Sequence, residues 1–244
     1  MVMSYDLLTH IRAKAQLRLA NIYDMGATDL QERLGKTVES ICKPKLKGAQ
    51  IIFPPGRKDT DTAIEKVVRD YNGDWTEIKD LARCTVMLDD ATEFDKAIIL
   101  LKGYFGGGNG WSIHQARDTD PVKDKGGFSG STIFVSSGGH KGEIQVNTPP
   151  MMYAKSIKEF QKTNGKDTVA DMKARYGLVP GGLGHAMYEN FRNCEHTPIG
   201  RQNMEASKLY YAYFRSSPPD GRLGIAARAA VLRLNLLRHV STHA

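Results

Sequence analysis

The segment Gly142-Glu143-Ile144-Gln145-Val146-Asn147-Thr148 constrains this chain more than any other stretch of it. Ile144 and Val146 alternate with Glu143, Gln145 and Asn147, the period-two pattern of a strand with one apolar and one polar face. A carboxylate and two amides on one strand face are costly to bury without partners. The pattern therefore predicts a sheet whose polar face lines a wet, functional cleft. A second stretch, from Ile78 to Leu88, sets Asp80 just ahead of the apolar run Val86-Met87-Leu88, where another strand would begin. Two carboxylates on neighbouring strands are what a divalent cation needs to hold a polyphosphate.

Around these strands the periodicity is largely helical. Residues 4–24 carry Leu7, Leu8, Ile11, Ala15, Leu17, Leu19, Ala20 and Ile22 at helical spacing, and 27–42 read as a second helix opened by Thr28 or Asp29. Ile51-Ile52-Phe53 reads as a short strand stopped by Pro54-Pro55-Gly56, and a helix runs from about Asp59 to Tyr71, ended by Asn72-Gly73. Strands are expected at 83–88, 111–117, 131–136 and 141–147, with a helix after Asp90 or Thr92 and a hairpin turn at Ser137-Gly138-Gly139-His140. From Pro149 onward the pattern is helical, punctuated at Pro180-Gly181-Gly182, Pro198 and Pro218-Pro219. The expectation is an α+β fold: a mixed sheet of about five strands flanked by helices, with helical N- and C-terminal extensions. The chain reads as a single domain, 1–244, with N-terminal helices at 1–42, a core at 43–155 and a C-terminal helical extension at 156–244.

Charge and composition narrow the partners. A formal net charge of +7 and a pI of about 9.2 suit an anionic partner such as a nucleotide or RNA. No run reaches the apolar length of a membrane span and the first residues lack a signal-peptide profile, which gives the expectation of a cytoplasmic protein with no membrane partner. Cys42, Cys84 and Cys194 are odd in number and lack metal-ligand spacing, as free thiols in a reducing compartment would be.

Several groups of residues carry possible chemistry, each beside a plainer reading. Lys58, Thr62 and Lys66 are four apart, so on a helix they share one face, with Lys58 at the helix start where the backbone already favours an anion. With Arg57 beside them they form a candidate phosphate clamp; the plainer reading is an amphipathic surface helix with routine charge pairs. The loop Lys123-Asp124-Lys125-Gly126-Gly127-Phe128 presents a glycine-flanked aromatic ring to a base or ribose, or else anchors the loop in the core. It is no Walker loop, since no glycine-rich segment ends in Gly-Lys-Ser/Thr. His185 and Tyr188 lie one turn apart at the start of a late helix, as packing residues or substrate contacts. The basic helix near the carboxyl terminus, with Arg222, Arg228, Arg233 and Arg238, reads first as a solvated face over core and second as an RNA contact.

Taken in order, Lys58/Thr62/Lys66, Asp80-Leu81-Ala82, Gly127-Phe128 and Glu143-Ile144-Gln145-Val146-Asn147-Thr148 resemble the synthetase domain of the RelA/SpoT family, over roughly residues 45–155. The resemblance implies a nucleotidyltransferase-like sheet and Mg2+-dependent transfer of the β,γ-pyrophosphate of ATP to a ribose hydroxyl of a nucleotide or of the tRNA 3′ end. It implies that Asp80 and Glu143 hold magnesium, that Glu143 helps deprotonate the acceptor, and that Gln145 positions the acceptor ribose. Arg57, Lys58, Thr62, Lys66 and Arg83 would bind the ATP phosphates. Phe128, Lys125, Asn147, Tyr188 and His185 would meet the acceptor. The sequence departs from the family pattern at Gly56, Thr85, Thr132 and Asn147, which implies an acceptor other than a guanosine nucleotide, or lost activity. The Asn-Thr-Pro form of the motif is similar to phage-borne or secreted toxin relatives, which implies an antitoxin or immunity protein as partner and leaves delivery into another cell open. The alternative is a non-catalytic RNA- or nucleotide-binding module on the same fold; another nucleotidyl transfer is a third.

Overall fold

The computed structural model describes residues 26–53, 60–89, 91–119 and 124–234. The expected helix at 4–24 lies outside these residues, as do Arg57 and Lys58. The strands form one five-stranded sheet in the order β1-β2-β5-β4-β3. They are β1 (Gln50–Ile52), β2 (Ala82–Met87), β3 (Ser112–Thr119), β4 (Gly130–Ser137) and β5 (His140–Asn147). β1 runs antiparallel to β2, with Ile51 opposite Val86. Strands β4 and β5 form the expected hairpin across Gly138-Gly139, both at positive φ (58° and 79°), as a two-residue turn with the sheet's twist demands. The Leu88 amide donates to the Asn147 carbonyl at 2.8 Å, and the Ala82 carbonyl lies beside Gly142, so β2 and β5 run in the same direction and the sheet is mixed.

The chain divides into two compact units. The first takes the chain up to Met87 together with Thr92–Arg117 and Thr132–Val146. Its first helix, α1 (26–42), buries Ala27, Leu30, Leu34, Val38, Ile41 and Cys42 at helical spacing. Its outer face pairs Asp29 with Arg33, Glu32 with Lys36 and Glu39 with Lys43 at i,i+4. The helix is already running at residue 26, so the expected caps Thr28 and Asp29 sit inside the helix. Leu30 and Leu34 pack on Gly142, where a Cβ would come within 3.1 Å of Leu34. That contact makes the face of β5 bearing Gly142, Ile144 and Val146 the covered one and turns Glu143 and Gln145 to the opposite face. Helix α2 (Thr60–Tyr71) buries Ala63 and Val67 against Trp75, Ile78 and Leu81. Helix α3 (Phe94–Phe105) buries Ala97, Ile98, Leu101 and Phe105 and is entered through a 3-10 turn at Ala91–Glu93 that includes Thr92; Asp90, the other expected cap, lies outside the described residues.

The second unit comprises Leu88–Ala91, Asp118–Ser131 and the chain from Asn147. Its helices are α4 (Pro149–Lys155), α5 (Ile157–Arg175), α6 (Gly184–Asn193), α7 (Pro198–Arg215) and α8 (Gly221–Arg233). Side-chain caps start three of them: Ser156 on α5, Thr197 on α7 and Asp220 on α8. Pro198 is the first residue of α7 rather than a break, because a helix start needs no amide there. Helix α7 packs against α4, α6 and α8 around Tyr153, Phe160, Tyr176, Tyr210, Tyr213 and Phe214, whose neighbouring rings lie 4.9–5.8 Å apart.

Cys42 and Cys84 are buried in the first unit, and burial pushes the Cys42 thiol up to about 11 and the Cys84 thiol higher still. Cys194, in the second unit, is half-exposed. Since the thiolate is the nucleophile, iodoacetamide at pH 8 is expected to modify Cys194 alone until the protein is unfolded, as read by peptide mass spectrometry. Native labelling of Cys84 at the rate of Cys194 would contradict this packing.

Candidate active site

In the first unit, the polar face of β5 forms the centre of the candidate site. Gln145 donates its amide to a Glu143 carboxylate oxygen at 2.6 Å, and both side chains are half-buried. The two-residue turn sets Phe134 across from Glu143 and Thr132 across from Gln145 on β4. Glu143 lies on β5, the strand next to β2 in the sheet.

Asp80 ends the segment leading into β2. Its carboxylate meets the Lys66 ammonium of α2 at 2.9 Å, with the two side chains only 13% and 25% exposed. At that depth the pair is screened less than a surface ion pair. Of the expected phosphate-binding stripe, Lys66 is therefore set on the metal candidate Asp80, and Thr62 falls within α2. Arg83 has its backbone held on both sides: the Gln31 amide donates to the Arg83 carbonyl, and the Gln31 carbonyl accepts from the Arg83 amide, each at 2.6 Å. Gln31 acts here as a surrogate strand residue, because the β1 pairing stops at Ile52 opposite Thr85.

Two cations that the sequence reading did not select join this face. The Lys79 ammonium and the Arg117 guanidinium each lie 5.7 Å from the centre of the Phe134 ring. Only the position of Arg117 near the end of a strand and of Lys79 beside Asp80 could have suggested them; their meeting at one ring is a product of the sheet.

The carboxylates suit a hard divalent cation. Magnesium takes one or two protein carboxylates and completes its shell with waters and substrate phosphates; Asp80 supplies oxygen donors from the lead-in to β2, and Glu143 from β5, the strand next to β2 in the sheet. Among the described residues no group of three or more metal-binding side chains occurs.

The second unit carries the remaining candidates. Phe128 is half-buried, with its ring 5.3 Å from that of Tyr211 at an interplanar angle of 76°. Lys125 is ion-paired with Glu195. Asn147 is 2% exposed, its side-chain oxygen against Gly130 with no hydrogen-bond partner. The expected acceptor amide is thus enclosed at the end of β5. His185 and Tyr188 lie exposed on α6, His185 at 4.0 Å from Glu189.

No protein-family model matches the chain. In sequence it is 35% identical over 158 residues to the (p)ppApp synthetase toxin Tas1 of Pseudomonas aeruginosa strain UCBPP-PA14, a match covering 63% of this chain. The chain spans about a third of the length of that relative, 34%. In structure it is similar to the Type VI effector Tas1 as crystallised with its immunity protein, at a TM-score of 0.66 and 29% identity over 78% of this chain and 92% of that one. The small alarmone synthetase 1 of Bacillus subtilis bound to its product pppGpp aligns over 94% of this chain and 97% of its own, at a TM-score of 0.44 and 15% identity. The mixed sheet and the likeness to Tas1 in both sequence and structure together give this chain the fold seen in the Type VI effector Tas1.

Proposed function

We propose that the chain is a magnesium-dependent pyrophosphokinase that moves the β,γ-pyrophosphate of ATP to a ribose hydroxyl of an adenosine nucleotide, and that it acts as a toxin countered by an immunity protein. The observation that carries this reading is the polar face of the first unit, where Lys66 holds Asp80 in the lead-in to β2 and Gln145 holds Glu143 on the neighbouring strand β5. The similarity to Tas1, named as a (p)ppApp synthetase toxin and crystallised with an immunity protein, points the acceptor toward adenosine and the partner toward an inhibitor.

The transfer needs little covalent chemistry from the protein. The acceptor oxygen attacks the β-phosphorus of ATP, the bond from that phosphorus to the α–β bridging oxygen breaks, and AMP leaves. The hydroxyl proton goes to the Glu143 carboxylate, which the Gln145 amide keeps oriented. Lys66, Lys79 and Arg117 neutralise charge on the transferring phosphates, and in this reading Arg57, Lys58 and Arg83 add to the clamp. Asp80 and Glu143 would hold a magnesium ion, which would supply further charge neutralisation to the phosphates. Phe128 stacks on the acceptor base.

The test is incubation of the full chain with labelled ATP, magnesium and, in parallel, AMP, ADP, GDP or bulk tRNA. Pyrophosphorylated AMP or ADP with release of AMP from the donor is expected. Lys66→Met should lower kcat/KM by roughly 10²-fold or more, as loss of a charge that stabilises the transition state does. Retention of tRNA with no transfer to any acceptor, unaffected by Lys66→Met, would instead establish the RNA-binding alternative.

A further inference from the structure

The segment bearing Phe128 is held by a stripe of α7 to which nothing yet assigns a role. Ser207, Tyr211 and Arg215 are spaced four apart, so they share one face of that helix. The Ser207 hydroxyl, almost fully buried, donates to the Gly126 carbonyl at 2.8 Å. The Tyr211 ring meets Phe128. The Arg215 guanidinium donates to the Gly127 carbonyl at 2.6 Å. From within the segment, one Asp124 carboxylate oxygen accepts from the amides of both Gly126 and Phe128 at 2.9 Å. Gly127 has φ +75°, and a Cβ there would stand 2.7 Å from the Lys208 Cα, so the segment lies directly on the helix backbone.

Three consecutive residues before and at the aromatic ring thus have their backbone groups fixed by side chains more than eighty positions later or by Asp124. Loops that only connect strands are ordinarily mobile and solvated. This one is fastened carbonyl by carbonyl, while the Phe128 ring it carries stays half-exposed.

We propose that the Ser207–Tyr211–Arg215 stripe of α7 is the positioning device for acceptor recognition, with Arg215 as the positioning residue that fixes Phe128 through the Gly127 carbonyl. The proposal rests on the acceptor role given to Phe128 above. A preorganised ring binds its base without first being ordered, so loosening it raises the acceptor requirement and leaves the donor untouched.

Steady-state kinetics on the full chain, varying ATP and ADP separately, test this with Arg215→Gln and Arg215→Lys. Arg215→Gln is expected to raise the KM for ADP by about tenfold, the effect of losing one charge-assisted hydrogen bond, with the KM for ATP changed by less than about twofold. Arg215→Lys keeps a charged donor and is expected to recover most of the loss. Hydrogen exchange of the Gly126, Gly127 and Phe128 amides should quicken about tenfold in Arg215→Gln. Should that variant fail to fold, Ser207→Ala, which loses a single neutral hydrogen bond, should raise the ADP KM by about threefold to tenfold. Equal rises in both KM values, or an unmoved ADP KM in a folded variant, overturn the proposal. A wild type that transfers nothing overturns instead the reading on which it rests, and unchanged exchange in Arg215→Gln then overturns the holding role too.

Discussion

Glu143→Gln is expected to abolish pyrophosphate transfer while leaving the protein folded. The substitution keeps the shape of the side chain, and its carbonyl oxygen can still accept from the Gln145 amide that now meets Glu143 at 2.6 Å. What it removes is the negative charge and the proton-accepting oxygen. If Glu143 takes the acceptor proton, kcat should fall by roughly 10²–10⁴-fold, the span that positioned general bases contribute. A carboxylate that also holds the cation should place the loss at the upper end. Gln145→Ala should cost less, about 10–100-fold, as partners that orient a ligating group do. Thermal unfolding midpoints should stay close to wild type, because Glu143 is half-buried and its contact with Gln145 is retained. The measurement is turnover of ATP and ADP beside a melting curve. Transfer within about threefold of wild type would remove Glu143 from the chemistry and leave the proposed reaction without a base.

The β5 face was legible in the sequence because a strand writes its two faces into alternate residues. Nothing but burial decides which set is apolar, so Ile144 and Val146 announced the covered face and Glu143 and Gln145 the open one. The hairpin was legible for the same local reason: Gly138-Gly139 satisfies a turn that few other pairs can. Element ends were read within a residue or two, with β1 stopping before Phe53 and β3 and β4 running longer than expected, because strand limits are set by pairing partners rather than by the strand's own residues. The pairing of Lys66 with Asp80 was beyond the sequence, which offered the lysine as a phosphate ligand and the aspartate as a metal ligand without joining them. So were the Gln31 amide on Arg83, the two cations at Phe134, and the α7 stripe under Gly126 and Gly127. Each joins residues far apart in the chain, and no local period records such a meeting. Lys125, His185 and Tyr188 were chosen by residue type, and type alone cannot tell a side chain paired with a neighbour, as Lys125 is with Glu195, from one turned toward a substrate.

Tyr210 is where a single substitution should cost the second unit most stability. Its side chain is fully buried, and its hydroxyl lies 2.9 Å from the Ala154 carbonyl, 3.1 Å from the Pro180 carbonyl and 3.2 Å from the Leu183 amide. One proton serves the two carbonyls and a lone pair receives the amide, so one oxygen ties the end of α4, the segment after α5 and the start of α6 to α7. Burial drives the phenol pKa far above its ordinary value, so the hydroxyl keeps its proton across the working pH range. Tyr210→Phe keeps the ring contacts with Tyr211 and Phe214 at 5.5 and 4.9 Å but leaves a buried amide and a buried carbonyl unserved. That should cost about 1–3 kcal/mol for each group left unpaired. Tyr210→Ala adds the cavity left by the ring, about 3–5 kcal/mol for an aromatic side chain removed from a core. Urea unfolding of the two variants should therefore rank them wild type, Phe, Ala, with the first step set by hydrogen bonding and the second by volume. A Phe variant as stable as wild type would mean that water or a backbone shift satisfies Leu183 and Ala154 without the hydroxyl, and that the junction of α4, α6 and α7 is held by ring packing alone.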